Sequence, residues 1–127
     1  VEVDSQRDAA LAMGGLATVH LRLGEWEAAD EHAREALRLL EGTEDNYLDQ
    51  VGQSQLDLGR SLLERGRLDE AEEAFRAADA TFEQFSSISH RANAWVALGD
   101  LAARRGDEAE AARLYRNAAE ALQDLRF

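Results

Sequence analysis

Residues 55–79 read QLDLGRSLLERGRLDEAEEAFRAAD, and two other segments of the chain align with them without gaps. Residues 13–37 read MGGLATVHLRLGEWEAADEHAREAL, and residues 95–119 read WVALGDLAARRGDEAEAARLYRNAA. When Gly24, Gly66 and Gly106 are superposed, the periods are 42 and 40 residues. Self-similarity at a fixed period of this length is typical of stacked structural repeats.

Each segment has the pattern of two helices joined by a tight turn. Apolar residues recur at three- and four-residue steps before the aligned glycine, which suits the left-handed backbone at a helix end. After it, alanines stand where two helices must approach closely: Ala29, Ala36, Ala71, Ala78, Ala111 and Ala118. Phe75 and Tyr115 lie between these alanines and are predicted to be core residues. The pattern predicts six helices, at about 5–23, 26–41, 46–65, 68–84, 88–105 and 108–125.

The composition restricts the classes of function. The net charge is -12, and all 14 basic residues are Arg. A field of that sign repels phosphate backbones, so we expect no direct nucleic-acid binding. The chain has no Cys, which excludes disulfides and thiolate metal sites. Neither a long apolar run nor a signal-peptide pattern is present, so we expect a cytoplasmic protein that does not bind membranes.

The third segment carries the most specific motif. It has Trp95, Leu-Gly at 98–99, Gly-Asp at 106–107, and Ala111, Tyr115 and Ala118 on the second helix. These residues resemble the tetratricopeptide repeat (TPR), although Ala33 replaces the bulky residue in the first segment. The resemblance implies an all-α, right-handed α-solenoid of three antiparallel helix pairs. It implies one domain over residues 1–127, with repeats at about 10–42, 52–85 and 92–125, in a larger protein.

The long period narrows the resemblance. Arrays of this length are similar to those of kinesin light chains, cell-polarity adaptors and the sensor halves of bacterial helix-turn-helix transcription regulators. The Arg-only, Ala-rich composition favours a bacterial regulator whose array binds a protein or peptide signal. The alternative is a structural scaffold or homo-oligomerisation module. The sequence has Leu122, Leu125 and Phe127 at its end and no polar capping helix, so we expect either that more chain follows or that a second copy covers this end, as a homodimer through the C-terminal helix.

The family's peptide-binding groove is lined by its first helices. The resemblance places these residues there: Thr18, Leu21, Arg22, Gln53, Leu56, Arg60, Leu63, Glu64, Asn93, Val96, Asp100, Ala103 and Arg104. Leu56, Leu63 and Val96 are expected to be exposed apolar contacts. Opposite charges occupy equivalent positions of neighbouring repeats, as at Glu64 and Arg104, so these side chains could instead pair with each other. The Lys and Asn clamp of the chaperone-binding members is absent.

No residues suggest catalysis. His20, His32 and His90 fall on different helices without a neighbouring nucleophile, and His20 is expected to pack against the partner helix. Gly14 and Gly15 lack the strand and the GK[ST] of a phosphate loop, so we expect them to permit close helix packing. The sequence predicts a protein that is not an enzyme, with no catalytic residues, metal ligands or cofactor.

Overall fold

The computed structural model describes residues 2–43 and 47–124, and shows six helices and no strand in those ranges. The helices are α1 (Glu2–Arg22), α2 (Trp26–Leu40), α3 (Leu48–Glu64), α4 (Leu68–Gln84), α5 (Ile88–Arg104) and α6 (Glu108–Gln123). Each predicted boundary lies within three residues of the observed one. The predicted terminal contacts of Leu125 and Phe127 lie outside the described residues.

The helices form three pairs that stack into a solenoid. Repeat 1 is α1 with α2, repeat 2 is α3 with α4, and repeat 3 is α5 with α6. Helix α2 also packs on α3, and α4 packs on α5. The first helices contact each other (α1 with α3, and α3 with α5), whereas no contact joins α2 to α4 or α4 to α6 in the described ranges. The first helices therefore line the inner side of the array, and the second helices lie on its outer side.

The turn within each repeat depends on its glycine. Gly24, Gly66 and Gly106 have φ values of 78°, 78° and 86°, which confirms the predicted left-handed turns. In repeat 2 the Gly66 N–H donates to the Leu63 carbonyl at 3.0 Å, and the next N–H donates to the Leu62 carbonyl at 2.9 Å. These two bonds form the Schellman closure of a helix. Between α4 and α5, Ser86 has the same role with φ 55° and equivalent bonds.

Gly66→Val is expected to lower the free energy of unfolding by more than about 1 kcal/mol, because a β-branched residue is strained at positive φ. No atom lies within 4 Å of a Cβ built at Gly66, so the loss would come from the backbone alone. Thermal or urea unfolding measures it. The control is Gly15→Ala, at a helical glycine with equally open space, which should instead stabilise by about 0.5–1 kcal/mol. An unchanged midpoint for Gly66→Val would contradict the prediction.

No other helix approaches the backbone closely at Gly14 or Gly15, so the prediction that these glycines permit close helix packing is wrong. A Cβ at Gly14 would meet the Ser54 hydroxyl at an ordinary 3.7 Å, and Gly15 faces open space. Close approach occurs instead at Gly52 and Gly59. A Cβ at Gly59 would come within 3.0 Å of the Phe75 ring, and one at Gly52 would clash in the same way with another ring, that of Phe82.

The core is built from these aromatic rings and from small residues. Phe75 and Phe82 are fully buried, and the six alanines predicted for close helix contacts are all buried. Repeat 1 has Ala33 at the position of Phe75, and it has Ala17 in place of Gly59. Both alanines are fully buried, so the smaller side chain on α2 is matched by a larger one on α1.

Tyr115 is not a core residue, which corrects the prediction. Its ring lies over Gly99 just as Phe75 lies over Gly59, but 37% of the residue remains exposed. Phe75 is covered because repeat 3 packs on repeat 2. The described residues contain no further repeat to cover Tyr115.

Candidate functional site on the inner surface

The inner surface comprises the side chains of α1, α3 and α5 that face away from the second helices. In the described residues, three contacts between polar side chains cross between neighbouring first helices. The Thr18 hydroxyl donates to Asp57 Oδ2 at 2.7 Å. The Arg60 and Arg104 guanidinium groups bind Asp100 at 2.5 Å and Glu64 at 3.0 Å respectively. The self-pairing that the alternating charges suggested is therefore present between α3 and α5. Helix α1 is instead joined to α3 by the Thr18 hydroxyl.

Asp57 is a buried carboxylate at the centre of this surface. It accepts hydrogen bonds from the Thr18 hydroxyl and, at 3.0 Å, from the Gln53 side-chain amide. Burial raises the pKa of Asp57, while those two hydrogen bonds and the charges of Arg22 and Arg60 oppose the rise. The loss of hydration thus outweighs the favourable contacts, and the ionised form of Asp57 is less favourable in the folded chain than in the unfolded chain.

Asp57→Asn is expected to be at least as stable as the wild type at neutral pH, because it removes the buried charge and keeps an acceptor for Thr18. The unfolded carboxyl ionises near its ordinary pKa of 3.8, and the folded one at a higher pH. The wild type should therefore lose stability relative to the variant as pH rises from below 3.8 through the folded pKa. Urea unfolding of both proteins across this range tests the sign, and a difference that is independent of pH would contradict it.

A cleft of about 430 Å³ opens on the inner surface between α3 and α5. It is lined by Arg60, Leu63, Glu64, Asp100, Ala103, Arg104 and Tyr115. The Tyr115 hydroxyl hydrogen-bonds the Asp100 carboxylate, which raises the pKa of Tyr115. Two guanidinium groups and two carboxylates thus neutralise each other around an exposed aromatic ring.

Comparison with known proteins identifies the repeats. Two family models described as tetratricopeptide repeat match the chain, one over residues 8–84 and the other over residues 56–125. The chain belongs to the tetratricopeptide repeat family. The TPR domain of Arabidopsis FLU has a similar crystal structure, with a TM-score of 0.83 and 22% sequence identity. The match covers 94% of this chain and 98% of that one and shows a shared fold. No curated protein matches the chain.

The TPR groove residues predicted from sequence divide by burial. Arg22, Gln53, Glu64, Asn93, Ala103 and Arg104 are exposed, whereas Thr18, Leu21, Arg60, Val96 and Asp100 are half-buried. Leu56 and Leu63 are only 7% and 2% exposed, so their predicted exposure is wrong. Both belong to the hydrophobic core, and repeat 3 covers Leu63, whose carbonyl accepts a hydrogen bond from Arg104 at 3.2 Å. The accessible inner surface is therefore mainly polar.

Two important residues of this TPR surface were missed from sequence. Asp57 is one acidic residue among many in the sequence. Its position between Leu56 and Leu58 was the signal that its carboxylate would be buried. Tyr115 was assigned to the core by analogy with Phe75. The repeat pattern makes Phe75 and Tyr115 equivalent, so it contains no signal for their difference in exposure.

The histidines do not form an evident catalytic or metal site. His20 is half-buried, stacks on His32 of the partner helix α2 with ring centroids 5.1 Å apart, and places Nδ1 2.6 Å from Glu25. Across residues 2–43 and 47–124, no group of three or more His, Asp or Glu side chains is arranged to hold a metal ion. Within the same ranges, no helix has the length and apolarity needed to cross a bilayer.

Proposed function

We propose that the inner surface binds a peptide segment of a partner protein, in an extended or helical form. TPR repeats indicate a protein–protein interaction module, and the cleft beside Tyr115 carries the proposal for this chain. An exposed aromatic ring next to groups that can form hydrogen bonds is typical of the centre of a protein interface. The groove residues named above would line the site.

The charge pattern restricts the peptide. Each charged side chain of the cleft is already engaged, by the ion pairs Arg60–Asp100 and Arg104–Glu64. A strongly charged peptide would have to break these pairs. A segment of low net charge could instead place an apolar side chain on Tyr115 and Ala103, and use the exposed Asn93 amide for hydrogen bonds. We therefore expect a polar but nearly neutral peptide.

The test is selection of random peptides displayed on phage against the 127-residue chain, followed by affinity measurement. Ala103→Glu puts a charge in the middle of the cleft and should weaken the selected peptides by about tenfold or more. The matched control is Ala80→Glu, the same change at an exposed alanine of α4, which should bind normally. Equal binding by both variants would place the peptide elsewhere.

The same proposal includes a role for this binding. We place the array in the cytoplasm as the signal-sensing part of a bacterial transcription regulator, supported by the long repeat period and the Arg-only composition. The gene that encodes the chain would then also encode a helix-turn-helix or nucleotide-binding domain. Further repeats in that gene, with no such domain, would contradict the regulatory role.

A scaffold that associates with itself is the second candidate function. The free side of α6 favours it, because Leu122 is exposed there and Tyr115, which borders the cleft, is exposed on the same side. A homodimer through this helix was the expectation from sequence. Such a role would not require a peptide in the cleft.

A further inference from the structure

The free face of α1 is apolar. Leu16, Val19 and Leu23 are 41%, 48% and 65% exposed and recur at three- and four-residue steps, so they lie on one side of the helix. In repeat 3 the residues equivalent to Leu16 and Val19 are Leu98 and Leu101, which are only 6% and 2% exposed. They are covered because α4 packs on α5. The α1 face thus has the character of an interface between repeats but lacks a covering helix in the described residues.

The α2–α3 and α4–α5 interfaces each contain an ion pair at the same position of the repeat. Asp30 of α2 binds Arg65, at the end of α3, at 2.8 Å. At the equivalent position of the next interface, Glu72 of α4 binds Arg105 at 2.6 Å. The acidic residue always comes from the second helix of one repeat, and the Arg follows the first helix of the next.

Both free ends of the array depart from this pattern at the same contact. Leu23 occupies the position of Arg65 and Arg105, and Ala112 occupies the position of Asp30 and Glu72. Either change alone would remove one partner of an ion pair that crosses an interface, which is unfavourable. The two changes together replace an ion pair by an apolar contact.

A second contact position is matched in the same way. Asp79 of α4 binds Arg91 of α5 at 2.8 Å. The equivalent residues of the α2–α3 interface are Leu37 and Val51, which line one cleft. At the free ends the equivalents are Ala119 of α6 and Ala9 of α1. At each of these contact positions, the two sides of an interface are therefore either both charged or both apolar, and at the free ends both sides are apolar.

We infer that a second copy of this chain docks head to tail, with the outer face of α6 of one copy covering the α1 face of the next. The contact would repeat the geometry of the α2–α3 and α4–α5 interfaces. The inference deepens the scaffold candidate, and it competes with peptide binding at Tyr115, because the next copy would cover that ring as repeat 3 covers Phe75. Because a head-to-tail contact leaves an α1 face free at one end of every assembly and an α6 face free at the other, it extends into larger oligomers rather than closing as a dimer.

The charges predict how salt affects this contact. Each copy carries a net charge of -12, so copies repel each other at low ionic strength. Stacking would also bring Arg22 of one copy near Arg104 of the other, because these residues are equivalent to the paired Glu64 and Arg104. Screening weakens both repulsions, while the apolar contact does not depend on ion pairs. Association should therefore increase with salt concentration.

Sedimentation velocity of the 127-residue chain over a range of concentrations tests the inference. The wild type should form species larger than a dimer as concentration rises. Leu23→Arg and Ala112→Glu each change an exposed residue, so both variants should fold normally by circular dichroism. Each should weaken association by about tenfold or more, because each introduces one unpaired charge at the contact.

Pairing the two variants distinguishes head-to-tail contact from its alternatives. A mixture of Leu23→Arg with Ala112→Glu, or the double variant alone, should restore association because the introduced charges then meet. If only Leu23→Arg has an effect, the contact is α1 against α1. If only Ala112→Glu has an effect, it is α6 against α6. Either result, a monomeric wild type, or a double variant that fails to recover would overturn the inference.

Discussion

Phe75→Ala is expected to lower the free energy of unfolding by about 3–5 kcal/mol, the range for removing a buried aromatic ring. Phe75 is fully buried and its ring fills the space over Gly59. The Arg60 guanidinium also lies 5.9 Å from the ring centroid, and that contact would be lost. Helices on both sides of α4 hold the surrounding backbone, so the cavity cannot collapse fully. Urea unfolding measures the change.

Tyr115→Ala is the matched control for this prediction. Tyr115 occupies the equivalent position of repeat 3 and covers Gly99, but it is partly exposed on the free side of α6. Its removal should therefore destabilise by less than about 2 kcal/mol, since only part of the ring's contact is lost. If both variants lost the same free energy of unfolding, coverage by the next repeat would not explain the contribution of this aromatic ring.

Leu63→Glu is expected to unfold the domain or to destabilise it by more than about 3 kcal/mol, because a carboxylate would replace a core side chain. Leu63 is 2% exposed and belongs to the hydrophobic core, so the introduced carboxylate would lose its hydration. The sequence alone predicted a tolerated change at an exposed groove residue. Circular dichroism with thermal unfolding distinguishes the two outcomes directly.

Ala103→Glu provides the control for the Leu63 variant. Ala103 is equivalent to Leu63 one repeat later, but it is exposed. Its substitution should change the free energy of unfolding by no more than about 0.5 kcal/mol. A stable Leu63→Glu protein would mean that α5 covers this part of the inner surface less than the structure shows.

The sequence predicted the fold well because each repeat carries its own local signals. Gly66 and its equivalents mark the turns, and apolar spacing marks the helices, so the helix boundaries required no tertiary information. The contacts between α4 and α5 are harder to predict from the sequence, because the side chains that meet there are far apart along the chain. Ser86 was not predicted at positive φ, since serine gives no such local signal.

The inner surface was predicted less well than the fold. Helix periodicity predicts which face of a helix lines the groove. It does not predict which of two adjacent residues at the edge of that face is buried. Leu63 and Glu64 are neighbours, and the packing of repeat 3 on repeat 2 decides that the first is buried and the second exposed. The depth of Asp57 and the exposure of Tyr115 also depend on what packs next to them, which the spacing does not contain.

The fit between Gly59 and Phe75 has a consequence for how such repeats can evolve. Repeat 1 has two alanines at the equivalent positions, so a Gly–Phe pair can be converted to an Ala–Ala pair by two substitutions. The order of the two substitutions matters. A methyl group added first at Gly59 would come within 3.0 Å of a fully buried ring that has no room to move. A ring lost first leaves a cavity that a later methyl group partly fills. Ancestral chains on this path are therefore expected to have lost the aromatic residue before they gained the alanine.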